Sequence, residues 1–72
     1  MKDLKKEIGE KIKSTRLDRK YTQADICDDE SELTIRQLAR IENGQAMPTV
    51  PKLIYLAKKL NVEVQYIVDI DK

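Results

Sequence analysis

Arg36, Arg40 and Asn43 are spaced to act together on a polar ligand. At helical spacing they fall on one stripe, because residues three and four apart lie one above another along a helix. Ala39 lies beside them and is small enough to let the backbone approach whatever the arginines meet. No acid shares that stripe, so neither guanidinium has a partner within its own helix. A guanidinium holds its donors in a planar fork, which matches the O6/N7 edge of guanine or the paired oxygens of a phosphate or carboxylate. Other chemistries are poorly supplied. The sequence has no His, so an imidazole base, a triad containing His and a His-ligated metal are all excluded. Its one cysteine, Cys27, can build neither an internal disulfide nor a zinc cluster. Gly9 and Gly44 are the only glycines and form no phosphate loop. The run Asp28-Asp29-Glu30 lacks the alternating spacing and the glycine of a calcium loop, and reads as a solvated turn. No catalytic site, metal or cofactor is expected.

The elements that must position the arginines can be read from the same stretch. Thr34 is an N-cap residue, able to accept from an orphan N–H of the first turn. Leu38, Ile41 and Glu42 share the face opposite the arginines, and Gly44 suits a left-handed C-terminal cap. Upstream, Thr22 caps a short helix over residues 23–27, whose apolar members are Ile26 and Cys27. A polar, acidic connection from Asp28 to Glu32 leads to Leu33. Two helices joined by a short turn, the second basic on its outer side, make a helix-turn-helix core over about residues 22–44.

The rest of the chain supplies a scaffold. A first helix is expected from about Asp3 to Arg19, with Leu4, Ile8 and Ile12 on its buried stripe and Arg16 continuing it. A lone Arg and a lone Glu on two apolar faces are each costly to bury, but Arg16 and Glu42 together can form a paired bridge. A fourth helix starts at Thr49, tolerates Pro51 in its first turn and buries Leu53, Leu56, Ala57 and Leu60. The tail is ambiguous. Val62, Val64, Tyr66, Val68 and Ile70 alternate as a strand would, while Val64, Ile67 and Val68 fit one short helix face.

Composition agrees with one small all-α domain spanning residues 1–72. Fourteen basic residues against thirteen acidic ones give a net charge of +1, so any affinity for a polyanion rests on where the charges sit. Lys and Arg crowd the first twenty residues and the arginine stripe; acids crowd the turn and the tail. Without Trp or Phe the core is aliphatic, and Cys27 is expected to pack there as a small hydrophobe. The sequence has no signal peptide and no apolar run long enough to span a bilayer, so a cytoplasmic protein without membrane association is expected.

The ordered set Thr22-Gln23, Thr34, Leu38, Ile41-Glu42 and Gly44 resembles the XRE class of helix-turn-helix regulators, similar to lambda repressor and Cro. Ile8-Gly9, Ile12, Arg16, Pro48-Thr49, Leu53, Ala57, Leu60 and Val62 extend the resemblance over most of the chain. The segment LTIRQLARIENGQAMPT is most similar to the N-terminal domains of streptococcal Rgg-type competence regulators. One departure is the turn between the second and third helices, about one residue longer than usual and strongly acidic. The resemblance implies a compact five-helix fold, a fifth helix in the tail, and pairing of Arg16 with Glu42. It also implies that Tyr66 or Ile70 can contribute to dimer contacts, and that a C-terminal helical-repeat domain senses a signalling peptide. The chain is therefore expected to be part of a longer regulator.

Sequence and resemblance together point to sequence-specific binding of double-stranded DNA, with the third helix in the major groove. Arg36 and Arg40 would approach base edges, with Thr34 and Asn43 bordering them. Gln37, on the flank, would reach a base or a phosphate. Ile35 would touch a thymine methyl or pack against the turn. Gln23 would contact the DNA backbone or brace the third helix. Thr49, at the start of the fourth helix, and the cation of Lys52 form a phosphate clamp, unless Lys52 is simply solvated. The isolated domain is expected to be a monomer that pairs on DNA. The bare basic face is also open to masking by an acidic surface, either the sensor domain or a separate inhibitory protein. The alternative is a helical interaction module whose basic face docks an acidic protein. Duplex binding that is steep in salt and dependent on sequence separates the two.

Overall fold

The computed structural model describes residues 3–69, which form five helices: α1 Leu4–Asp18, α2 Gln23–Ile26, α3 Ile35–Glu42, α4 Val50–Leu60 and α5 Val64–Val68. Local chemistry sets most boundaries. Asp3, Thr22, Thr34 and Thr49 each accept a hydrogen bond from a backbone N–H of the turn they open. Thr22 and Thr34 do so within reciprocal capping boxes, with Asp25 and Gln37 reaching back to the cap N–H. Three helices stop where one residue turns left-handed: Lys20 (φ 63°), Gly44 (φ 75°) and Asn61 (φ 58°). In each case the next N–H reaches back to close the last turn, as Tyr21 does to Arg16, Gln45 to Arg40 and Val62 to Ala57.

The core lies where all five helices converge. Ile8 and Ile12 of α1, Leu38 and Ile41 of α3, Leu56, Ala57 and Leu60 of α4, and Ile67 of α5 are buried together with Ile26, Cys27 and Leu33. The tail is the fifth helix that the resemblance implies, although its residues alternate. A strand needs a partner to take up its N–H and C=O groups, and no strand exists among the described residues. Ile67 is fully buried, and α5 packs on both α1 and α4. Val68 does not join it inside, being 39% exposed, and Ile70 lies outside the described residues.

Two expectations about burial in α1 and α4 change. Leu4 is half exposed rather than buried. The end of α3 crosses α1 at Gly9, and Gly44 sits over Lys6, so the first turn of α1 projects past the element that would cover it. Leu53 is only partly buried, packing on the edge of the core.

The end of α2 is tied to α4. Tyr55 Oη donates to the Ile26 carbonyl at 2.7 Å and lies 3.2 Å from Asp28 Oδ1, while Lys59 Nζ holds the Asp28 carboxylate at 2.7 and 2.8 Å. The Lys59 hydrogen bond holds the Asp28 carboxyl below its ordinary 3.8, and the Asp28 hydrogen bond raises Lys59 above its ordinary 10.5. The Asp25 carboxyl is lowered too, mainly by the Thr22 backbone N–H. A carboxyl depressed in the folded state contributes stability that is present above its unfolded pKa and lost as pH falls through the folded value. The raised lysine contributes below its unfolded pKa and is lost as pH rises through the folded one. With no His, the melting temperature should vary little between about pH 5 and 8 and fall below about pH 4. Thermal melts across that range check this, and Asp28→Asn should flatten part of the acid limb.

Candidate nucleic-acid interface

On α3, Leu38, Ile41 and Glu42 are buried and turned inward. Arg36, Arg40 and Asn43 are exposed on the other side. Neither Arg36 nor Arg40 makes a hydrogen bond or ion pair with a described residue, so both forks are open to a ligand. Asn43 also closes the helix, its N–H bonding the Ala39 carbonyl. Ala39 itself is half-buried beside the stripe.

The flanks differ. Gln37 and Ile35 leave α3 on opposite sides of the stripe. Gln37 Oε1 accepts from the Thr34 N–H at 3.0 Å, so the carbonyl end of this side chain is committed to the cap and only its amide NH2 remains to donate. Thr34 Oγ1 is likewise engaged, accepting from the Gln37 N–H at 3.1 Å. Ile35 is 39% exposed. Beyond Gln37, the loop after α3 and the start of α4 enclose a shallow depression of about 220 Å3, lined by Gln37, Arg40, Met47, Thr49 and Lys52 among others. Thr49 caps α4 by accepting from the Lys52 N–H, and the Lys52 ammonium lies 3.4 Å from the Glu32 carbonyl oxygen. That contact holds the cation at the edge of the arginine face while leaving two of its donors free. Met47, 44% exposed, was not legible as part of this face, because a loop residue has no periodicity to betray its direction. Leu33 and Pro48, both buried, lie outside the helices, so no periodicity marks them either.

Behind the face is a polar lock. Arg16 Nε donates to Glu42 Oε2 at 2.8 Å and Nη2 donates to Oε1 at 3.0 Å. Arg16 Nη1 donates to the Tyr21 carbonyl at 2.9 Å, and Gln23 Nε2 donates to Glu42 Oε1 at 3.1 Å. The two charged side chains are 9% and 2% exposed. The hydrogen bond to Glu42 raises the Arg16 pKa, against the opposing effect of burial. Gln23 thus braces α3 from α2, and three helices are tied through one carboxylate. Cys27 lies nearby but is inert: burial pushes its thiol up to about 11. Among the described residues no cluster of His, Cys, Asp and Glu could hold a metal ion, and no helix is long and apolar enough to cross a membrane.

Two short capped helices, the second with an open basic stripe and locked to the first through Glu42, form the helix-turn-helix unit. A family model described as a helix-turn-helix domain matches residues 9–69. The chain belongs to this family. Among the solved structures similar to this helix-turn-helix domain are competence regulators. The apo form of ComR from Streptococcus vestibularis is 39% identical with a TM-score of 0.91, over 96% of this chain and 23% of that one. The apo form of ComR from S. thermophilus is 39% identical with a TM-score of 0.90, over 92% and 22%. ComR from S. thermophilus in complex with DNA and its signalling peptide ComS is 38% identical with a TM-score of 0.86, over 90% and 22%. The helix-turn-helix domain therefore spans less than a quarter of the length of these relatives. No curated protein sequence matches it.

Proposed function

We propose that this chain is the sequence-specific, duplex-DNA-binding part of a bacterial competence regulator that responds to a signalling peptide. The observation that carries the reading is the open Arg36/Arg40 stripe, fixed from behind by the Arg16–Glu42–Gln23 lock and flanked by Lys52. One similar ComR was solved with DNA and a signalling peptide, which supports both parts of the proposal. In this reading α3 enters the major groove. Arg36 and Arg40 pair with base edges, aided by Asn43, the Gln37 amide and the exposed Ile35. Thr34 holds α3 by its cap, Thr49 and Lys52 anchor a phosphate, and Gln23 acts from behind. No residue performs catalysis. The domain acts in the cytoplasm, as a monomer when free and as a pair on operator half-sites about one helical turn, ~34 Å, apart or a multiple of that. In the longer protein a helical-repeat domain senses the peptide. The same open stripe suits masking by an acidic surface of that domain or of an inhibitory protein, since either would compete directly with phosphates.

Substitution separates readers from anchors. Arg36→Ala and Arg40→Ala should each cost about 1–3 kcal/mol on the cognate site and relax preference at one base pair. Lys52→Ala should weaken cognate and random duplex alike and lower the salt slope by about one. Anisotropy titrations at several salt concentrations measure both quantities. Equal loss on cognate and random duplex in the arginine variants would refute the assignment of base reading to them.

A further inference from the structure

A hollow of about 570 Å3 lies between the acidic turn and the outer side of α4, away from the arginine stripe. Its apolar side is made by Pro51 and Ile54, and Val50 stands one turn before Ile54 on the same side of the helix. Val50 is 66% and Ile54 48% exposed. β-branched side chains at exposed helical positions lose rotamer freedom and gain little burial, so within this chain they add nothing that a polar helix former would not. The inner wall is fixed in advance. Tyr55 and Lys59 grip the turn at Ile26 and Asp28, which also pairs off the charges of Lys59 and Asp28. The charges left over at the rim are mostly negative. The Glu32 side chain has no partner among the described residues, and the Asp29 carboxylate accepts only from Ser31. Lys58 is the remaining unpaired cation lining the hollow.

We propose that this hollow docks a second protein, which sets apolar side chains against Pro51 and Ile54 and lysines or arginines against Asp29 and Glu32. An apolar side bordered by two free carboxylates favours a basic amphipathic segment over an acidic one. The same carboxylates repel phosphates, so the occupant is not a nucleic acid. Ile54 follows Lys52 by two positions and points to nearly the opposite side of α4. Lys52 faces the depression beside Arg40, so the hollow and the arginine stripe can be occupied at once.

The test uses a synthetic amphipathic helix with leucines on one face and lysines along its flanks, and a matched helix with glutamate for every lysine. Titrated into the isotope-labelled chain, the lysine helix should bind about tenfold tighter than the glutamate helix. Amide shifts should centre on Asp29, Glu32, Ile54 and Lys58. Ile54→Glu should weaken binding about tenfold with an unchanged melting temperature, because the side chain is already half in water. Equal binding of the two helices, shifts centred elsewhere, or binding indifferent to Ile54→Glu would overturn the proposal. Shifts at the same residues on concentrating the chain alone would overturn it in favour of a second copy as the occupant. Only the final arm rests on the DNA reading: with one equivalent of duplex bound to the chain, the lysine helix should still shift the Ile54 and Lys58 amides, and loss of those shifts at a salt concentration where the helix alone does not bind the duplex would refute joint occupancy. A duplex that fails to bind at all would count against the DNA reading and leave the peptide result standing.

Discussion

Arg16→Ala should leave the domain largely unfolded at room temperature. The substitution removes two hydrogen bonds to Glu42 and one to the Tyr21 carbonyl, and leaves a carboxylate whose side chain is 2% exposed with only Gln23 as a partner. Breaking one side of a buried pair costs about 3–5 kcal/mol. A core in a chain this short supplies roughly the same amount of net stability. Circular dichroism should therefore show a lost or strongly lowered cooperative transition, whereas the Arg36, Arg40 and Lys52 variants keep theirs. Arg16→Lys should recover only part, because an ammonium cannot make the two-pronged contact. The double variant R16M/E42L should be far more stable than Arg16→Ala, since it removes the stranded charge as well as the pair. An Arg16→Ala variant that melts like the parent and loses only DNA affinity would show that this arginine belongs to the reading face.

Gly9→Ala is the second large effect, and its sign is the informative part. Gly9 lies within α1, where alanine is the better helix former by about 1 kcal/mol. Helix propensity alone would make the variant more stable. The added methyl, however, would run into the Ile41 carbonyl oxygen and stand 3.0 Å from that of Glu42. Both obstacles are backbone atoms, so relief requires moving α3 away from α1 rather than turning a side chain. Overpacking of this kind costs about 1–3 kcal/mol, and the lock between Arg16 and Glu42 spans the same crossing. Chemical denaturation should give a lower midpoint, and duplex affinity should fall with it because α3 carries the arginine stripe. A variant as stable as the parent, or more so, would mean that α1 and α3 are not in this close contact.

Local signals marked the first four helices and most of their inward faces. Threonines at positions 22, 34 and 49 announce helix starts because a hydroxyl there satisfies an N–H that nothing else can reach. Gly44 announces an end because a left-handed residue closes the last turn. The stripe of Arg36, Arg40 and Asn43 follows from helical period alone, and so does the inward placement of Arg16 and Glu42. These signals are local, carried within a few residues of the chain. The features that required the tertiary structure depend on which surfaces meet. Leu4 has the right period for burial, yet α3 ends before reaching it. The alternating tail is a helix because no second strand exists among the described residues to pair with it, while Ile67 finds a place between α1 and α4. Gln23 turns to Glu42 and Tyr55 to the end of α2 only because folding brings those acceptors within reach. Periodicity says which way a side chain points along its own helix; only packing decides what stands there to receive it.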